Sequence, residues 1–106
     1  MKLLMMLAAL ACGSLPAAAV QAQDARLKRG HAFAEAHCAE CHAISREGES
    51  PLPAAPPLRI MHRRYPVESI AESLAEGIAT GHPAMPQFKL SAAQIGDLIA
   101  YLKSLE

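Results

Sequence analysis

The chain has 106 residues, 10 basic and 10 acidic side chains, no Trp and a formal net charge of zero. That length holds one domain at most. The even charge balance, without a basic patch or a Lys-rich amphipathic stretch, excludes nucleic-acid binding and membrane-surface association as leading functions.

Residues 1–22 read as a leader and not as fold. Met1-Lys2 is a short basic start, Leu3 to Ala11 is an apolar run, and Gly13, Ser14 and Pro16 break it before Ala-rich sequence. This is the pattern of a secretory signal peptide. Val20-Gln21-Ala22 offers small residues at both recognition positions, so cleavage is expected before Gln23, with cleavage after Ala19 nearly as good. An uncleaved anchor needs ~20 apolar residues to span a bilayer, and the Gly, Ser and Pro argue against it. Cys12 follows Ala9-Leu10-Ala11, a poor lipidation context, and reads as incidental. The expected mature chain, 23–106, loses Lys2 and keeps 9 basic against 10 acidic residues.

Asp24 is a plausible N-cap for a first helix running to about Cys38. Leu27, Gly30, Ala34 and Cys38 fall roughly on one face. Gly30 costs about 1 kcal/mol against Ala inside a helix, so the spacing predicts a close helix crossing there.

Cys38-Ala39-Glu40-Cys41-His42 is the most informative stretch of the chain. A C-x-x-C-H run is the attachment pattern of a c-type haem. On a helical turn two thiols three residues apart reach the two vinyl groups of one porphyrin, and the following imidazole reaches the iron. Three other readings compete. A thioredoxin-type redox pair needs a βαβ context that is absent. A disulfide between these two Cys closes too small a loop to stabilise much. A Zn site would need Cys38 and Cys41 with a pair from His37, His42, His62 and His82, none of which has finger spacing. Haem attachment accounts for the stretch best.

From Ser45 to Pro57 periodicity is lost to Ser, Gly and Pro, which make neither a regular helix nor a central strand. A loop this long in a small domain is usually functional or disordered, and here it is expected to wrap one edge of the ring. Pro66 reads as the first-turn Pro of a second helix. Val67, Ile70, Ala71, Leu74 and Ile78 form its apolar stripe, Glu68, Glu72 and Glu76 its solvated face, and Gly77 and Gly81 end it.

Gly81-His82-Pro83-Ala84-Met85-Pro86 is a stiff loop presenting one thioether. A six-coordinate haem needs a second axial ligand besides His42, and the candidates are Met61, Met85 and the free His residues. Met85 is favoured because Pro83 and Pro86 limit the entropy lost when the loop holds sulfur on iron. His82 is the runner-up and would lower the potential. Ser91 and Gln94 then form a capping box, with Leu90 and Ile95 as its staple, for a last helix striped by Ile95, Leu98, Ile99, Leu102 and Leu105.

These stretches together resemble a small bacterial class I c-type cytochrome. The likeness is carried by the Gly30 helix leading into Cys38-Ala39-Glu40-Cys41-His42, by Ala55-Pro56-Pro57-Leu58, by the loop from Gly81 to Phe88, and by Leu98-Ile99-Ala100-Tyr101-Leu102. The resemblance implies that the first and last helices cross at Gly30 against Leu98 and Tyr101. It implies that the Pro56 carbonyl accepts the proximal imidazole N–H, a bond that fixes ring orientation. It also implies a propionate contact for Arg64, with Arg59 and Arg63 competing. Departures are Ala55 where the family usually has Gly, no Trp near the propionates, and no ring of docking Lys, with only Lys28, Lys89 and Lys103 left.

The expected fold is all-α, three main helices with long loops around one covalently attached haem c, the domain covering 23–106. Cys38 and Cys41 are the expected attachment residues, His42 and Met85 the axial iron ligands, Pro56 and Arg64 their supports. The expected function is single-electron transfer in the periplasm between redox partner proteins, a donor dehydrogenase or reductase and an acceptor oxidase or reductase. No catalysis, no nucleic acid and no stable membrane insertion after leader removal are expected. A dedicated haem subunit of a dehydrogenase is the alternative within the class, and a haem sensor or peroxidase with an open iron site lies outside it.

Overall fold

A computed structural model describes residues 12–14, 16–77 and 84–106. Residues 1–11, 15 and 78–83 lie outside that set, and with them the apolar run Leu3 to Ala11, Ile78, Gly81, His82 and Pro83. Among the described residues the chain is helical and without strands: α1 Ala17–His37, a 3₁₀ turn Leu58–Ile60, α2 Met61–Arg64, α3 Val67–Glu76 and α4 Ala92–Ser104. Three of these helices are long and α2 is a single turn.

α1 begins seven residues before Asp24, with Pro16 at its N-cap and no side-chain cap. The physical reason is composition. Ala17, Ala18, Ala19 and Ala22 have the highest helix propensity of any residue type, so the helix runs back past the anticipated cap until Pro16. The added turns are exposed, and its buried positions are Gly30 and Ala34.

α1 and α4 cross at Gly30. A Cβ built on Gly30 would run into the Asp97 carbonyl oxygen and stand 2.7 Å from the Tyr101 Cβ. Asp97 and Tyr101, one turn apart on α4, therefore make the closest approach; Leu98 is buried in the adjoining core instead. Beside the crossing the Arg29 guanidinium donates to both Asp97 carboxylate oxygens, at 2.9 and 3.1 Å. That bond holds the Asp97 carboxyl below the usual carboxylate range.

α4 carries both bonds of its capping box. The Gln94 backbone N–H donates to Ser91 Oγ at 3.2 Å, and the Ser91 N–H donates to Gln94 Oε1 at 3.0 Å. At its other end the Tyr101 hydroxyl donates to the Ile44 carbonyl at 2.6 Å, and Arg46 donates to the Ser104 carbonyl. A cation at the last turn also suits the helix dipole. The long loop is thus tied to α4 on its far side.

α3 ends at Gly77 in the left-handed conformation, φ 73°, which a residue without a Cβ adopts freely. Its buried Val67 and Leu74 join Ala34, Leu58, Leu98, Tyr101, Leu102 and Leu105 in the core. The returning chain is pinned to α3 where the Leu90 N–H donates to the Leu74 carbonyl at 3.1 Å. No large side chain among the described residues is fully buried, because the core surrounds a cavity.

Candidate cofactor site

The last turn of α1 does not stop at His37 but winds on through the cysteines. The Cys38 N–H donates to the Ala34 carbonyl at 2.8 Å, and the His42 N–H donates to the Cys38 carbonyl at 2.9 Å. Helical winding brings residues three apart to one side, so Cys38 and Cys41 line the same cavity, together with His42. Neither cysteine forms a disulfide. Burial pushes the Cys38 thiol up to about 11. Among the described residues no three His, Cys, Asp or Glu side chains cluster to hold a metal ion.

The His42 ring is oriented by the chain itself. Its Nδ1 lies 2.6 Å from the Pro56 carbonyl oxygen. A carbonyl only accepts, so Nδ1 carries the proton and donates, and the Nε2 lone pair is left for a metal. The loop that supplies Pro56 is fastened to the same segment. The Ala43 N–H donates to Ser50 Oγ at 2.9 Å, the Leu52 N–H to the Cys41 carbonyl at 3.1 Å, and the Leu58 N–H to the Ala43 carbonyl at 2.9 Å. The Pro-rich stretch is therefore an ordered strap with a fixed acceptor.

The cavity has a volume of about 440 Å³, within the ~300–1,000 Å³ usual for cofactor sites. Met85 lines it from the segment before α4, and Met61 lines it from α2. Arg64 also lines it, while Arg63 does not, and Arg59 donates to the Gly48 carbonyl at 2.7 Å. His82 and Pro83 lie outside the described residues. The lining is mostly apolar, with Leu58, Leu74, Leu98 and Leu102 around the His37 and His42 imidazoles, the Arg64 guanidinium and the sulfur atoms. This donor set fits a porphyrin: two thiols and the His42 imidazole line one mostly apolar cavity that the Met85 and Met61 thioethers also line.

Two features of the lining escaped the sequence reading. Phe33 and His37 stack at 4.5 Å beside Cys38, with Phe88 edge-on to His37 at 6.0 Å; the spacing of Phe33 and His37, one turn apart before the motif, was the available signal. Ser69 and Ser73 line the cavity from α3. They adjoin Ile70 and Leu74, so the apolar stripe carried the hint.

Comparison with known proteins decides the family. The family model for cytochrome c matches residues 27–106. The chain belongs to the cytochrome c family. It is similar to cytochrome c-552 of Bradyrhizobium diazoefficiens, 37% identical over 76 residues covering 72% of this chain and 71% of the relative. It is also similar to a cytochrome c-553-like protein of Synechocystis sp., 34% identical over 77 residues covering 73% of this chain and 67% of that one. No solved structure matches at comparable stringency. This small class I c-type cytochrome is a haem-carrying electron carrier, and its cofactor is covalently attached haem c, with Cys38 and Cys41 in the C-x-x-C-H position.

Proposed function

We propose that residues 23–106 form a periplasmic monohaem cytochrome c that passes single electrons between redox partner proteins, after residues 1–22 have served as a secretory signal. Cys38 and Cys41 hold the haem through thioether bonds, His42 is the proximal ligand and Met85 the distal one. The observation that carries the reading is the 2.6 Å bond from His42 Nδ1 to the Pro56 carbonyl, made on the cavity that both thiols and Met85 also line. Bound there, haem c supplies a one-electron iron couple. The residues around it do the rest. Pro56 fixes the imidazole tautomer and raises its basicity, the leucines exclude water, and the Arg64 guanidinium suits a propionate. No helix among the described residues is long and apolar enough to cross a membrane.

The test is expression with the native leader, followed by fractionation, N-terminal sequencing and an absorption spectrum. A red protein in the periplasmic fraction beginning at Gln23 supports the reading. The Cys38→Ser, Cys41→Ser double variant should lose haem stain on a denaturing gel, and stain that persists would refute the attachment. Strong carbon monoxide binding by the wild type would move the protein to the open-site sensor or peroxidase class. Constant co-purification with a large catalytic chain would make it a dehydrogenase subunit.

A further inference from the structure

The structure assigns Ser50 as a positioning residue for the proximal imidazole: its hydroxyl keeps the Pro56 carbonyl on the His42 ring and so sets how strongly that ring donates electrons. This rests on the reading of His42 as the proximal ligand and adds the residue that tunes it.

Four hydrogen bonds tie residues 41–43 to the strap. The Leu52 N–H donates to the Cys41 carbonyl at 3.1 Å, His42 Nδ1 to the Pro56 carbonyl at 2.6 Å, and the Leu58 N–H to the Ala43 carbonyl at 2.9 Å. In these three the strap supplies only backbone groups, which do not depend on its side chains. The last bond runs from the Ala43 N–H to Ser50 Oγ at 2.9 Å. Ser50 is thus the one side chain that the strap contributes, and the one bond its sequence chooses. A loop Ser ordinarily bonds backbone two to four residues away. Ser50 reaches back seven, to the residue that follows His42. The backbone favours that reach. Gly48 turns the chain with φ 98°, a conformation open to a residue without a Cβ, and the Arg59 guanidinium holds its carbonyl at 2.7 Å. Pro51 then disfavours helical backbone at Ser50.

Ala43 is 8% exposed, so its N–H finds no ready substitute in bulk water. Without the Ser50 hydroxyl that donor is buried and unpaired, a costly state that the chain relieves by moving the strap or admitting water. Either change slackens the strap between Ser50 and Leu58, and the Pro56 carbonyl lies within that span. A weaker bond at Nδ1 makes the imidazole a poorer electron donor, which favours ferrous iron. Loss of the hydroxyl therefore raises the reduction potential.

The experiment compares wild type, Ser50→Ala, Ser50→Thr and Ser91→Ala as intact haem proteins. Ser91 accepts the same kind of bond, from the Gln94 N–H at 3.2 Å, at the start of α4. In the ferrous protein Ser50→Ala should exchange the His42 Nδ1 proton for deuterium at least about tenfold faster. Poised at the wild-type midpoint potential, it should hold a ferrous-to-ferric ratio roughly threefold higher. Ser50→Thr keeps the hydroxyl and should restore both readings to within about twofold. Ser91→Ala should lose stability to denaturant and leave both readings within about twofold. Unchanged exchange and potential in Ser50→Ala, or a potential that falls, overturns the proposal and leaves Ser50 a purely structural residue. Equal changes in Ser91→Ala, or no rescue in Ser50→Thr, overturn it too. Should Ser50→Ala fail to mature, the wild type alone carries the test. Across a denaturant series its Ala43 amide and His42 ring proton should report one opening free energy, and separate openings overturn the proposal. A wild type whose His42 ring signals lack the large shifts of an iron-bound imidazole refutes the ligand reading itself, a result distinct from a misassigned Ser50.

Discussion

Met85 and His42 reach the cavity with very different support. His42 is held by a hydrogen bond to Pro56 in an ordered strap, whereas Met85 sits on the chain between α3 and α4. A thioether is a soft neutral donor that favours ferrous iron. Replacing Met85 with Ala should leave haem covalently attached and lower the reduction potential by on the order of 100 mV, a modest part of the ~0.8 V that axial ligands command. It should also admit carbon monoxide. The check is a redox titration with the far-red sulfur-to-iron band recorded for wild type, Met85→Ala and Met61→Ala; loss of the band only in Met61→Ala would reassign the ligand. Cys38, Cys41 and His42 were legible in the sequence because covalent chemistry fixes their spacing. Phe33, His37, Ser69 and Ser73 were not, because a lining role depends on which helix faces arrive at the cavity, and periodicity cannot tell a cavity wall from a packed core.

At the scale of elements the α1–α4 crossing governs the fold. Gly30→Ala drives a methyl group into the α4 backbone at Asp97 and against Tyr101. Backbone yields less than a flexible side chain, so the cost should reach about 3 kcal/mol, the upper end for overpacking. Chemical denaturation of the haem-bound variant measures it, and a loss below ~1 kcal/mol, the usual range of a tolerated substitution, would mean that the helices separate easily. The neighbouring Arg29–Asp97 pair sets a pH dependence. Its hydrogen bonds depress the Asp97 pKa in the folded state, so its contribution is present above the ordinary aspartate range near ~3.9. The contribution is lost as pH falls through the depressed value. Asp97→Asn should flatten the acid limb of a melting-temperature profile between about pH 6 and pH 3 and leave its shape near neutrality unchanged; an unaltered acid limb would remove the pair from the account. The crossing was legible because a Gly inside a regular helix needs a reason. The start of α1 was not, since the run of Ala from Ala17 outweighs the local signal of Asp24 as a cap.

For the molecule as a whole, the buried hydrophobic set is short: three Ala, one Val, one Tyr and five Leu among the described residues, with Ala55, Leu58, Leu74, Leu98 and Leu102 lining the cavity. Apolar burial on this scale barely offsets the conformational entropy of a chain this small. Protein made without haem should therefore show no cooperative thermal transition by circular dichroism, and a sharp transition in that protein would contradict the cofactor as the centre of the core. The sparse aromatic content, two Phe and two Tyr, had already pointed this way, since composition sets how much core a chain can build.

The same crossing has a consequence for the topology of the chain as a polymer. Arg29 and Asp97 meet across 68 residues, and closing so long a loop unaided costs roughly 3.7 kcal/mol of chain entropy beyond a constant. A haem bonded at Cys38 and Cys41 and, as proposed above, ligated by Met85 would tie the loop's two arms together about a dozen residues or less from its two ends. The free path from Arg29 to Asp97 then shortens to about two dozen residues, and the closure cost falls by roughly 0.9 kcal/mol. In that sense the cofactor is also a staple, doing for this chain what a disulfide does for a small secreted domain. With Met85 as the proposed distal ligand it would join the two sequence-distant arms through one end that is covalent and one that is only coordinated, so the staple could be undone at the Met85 end without releasing the haem.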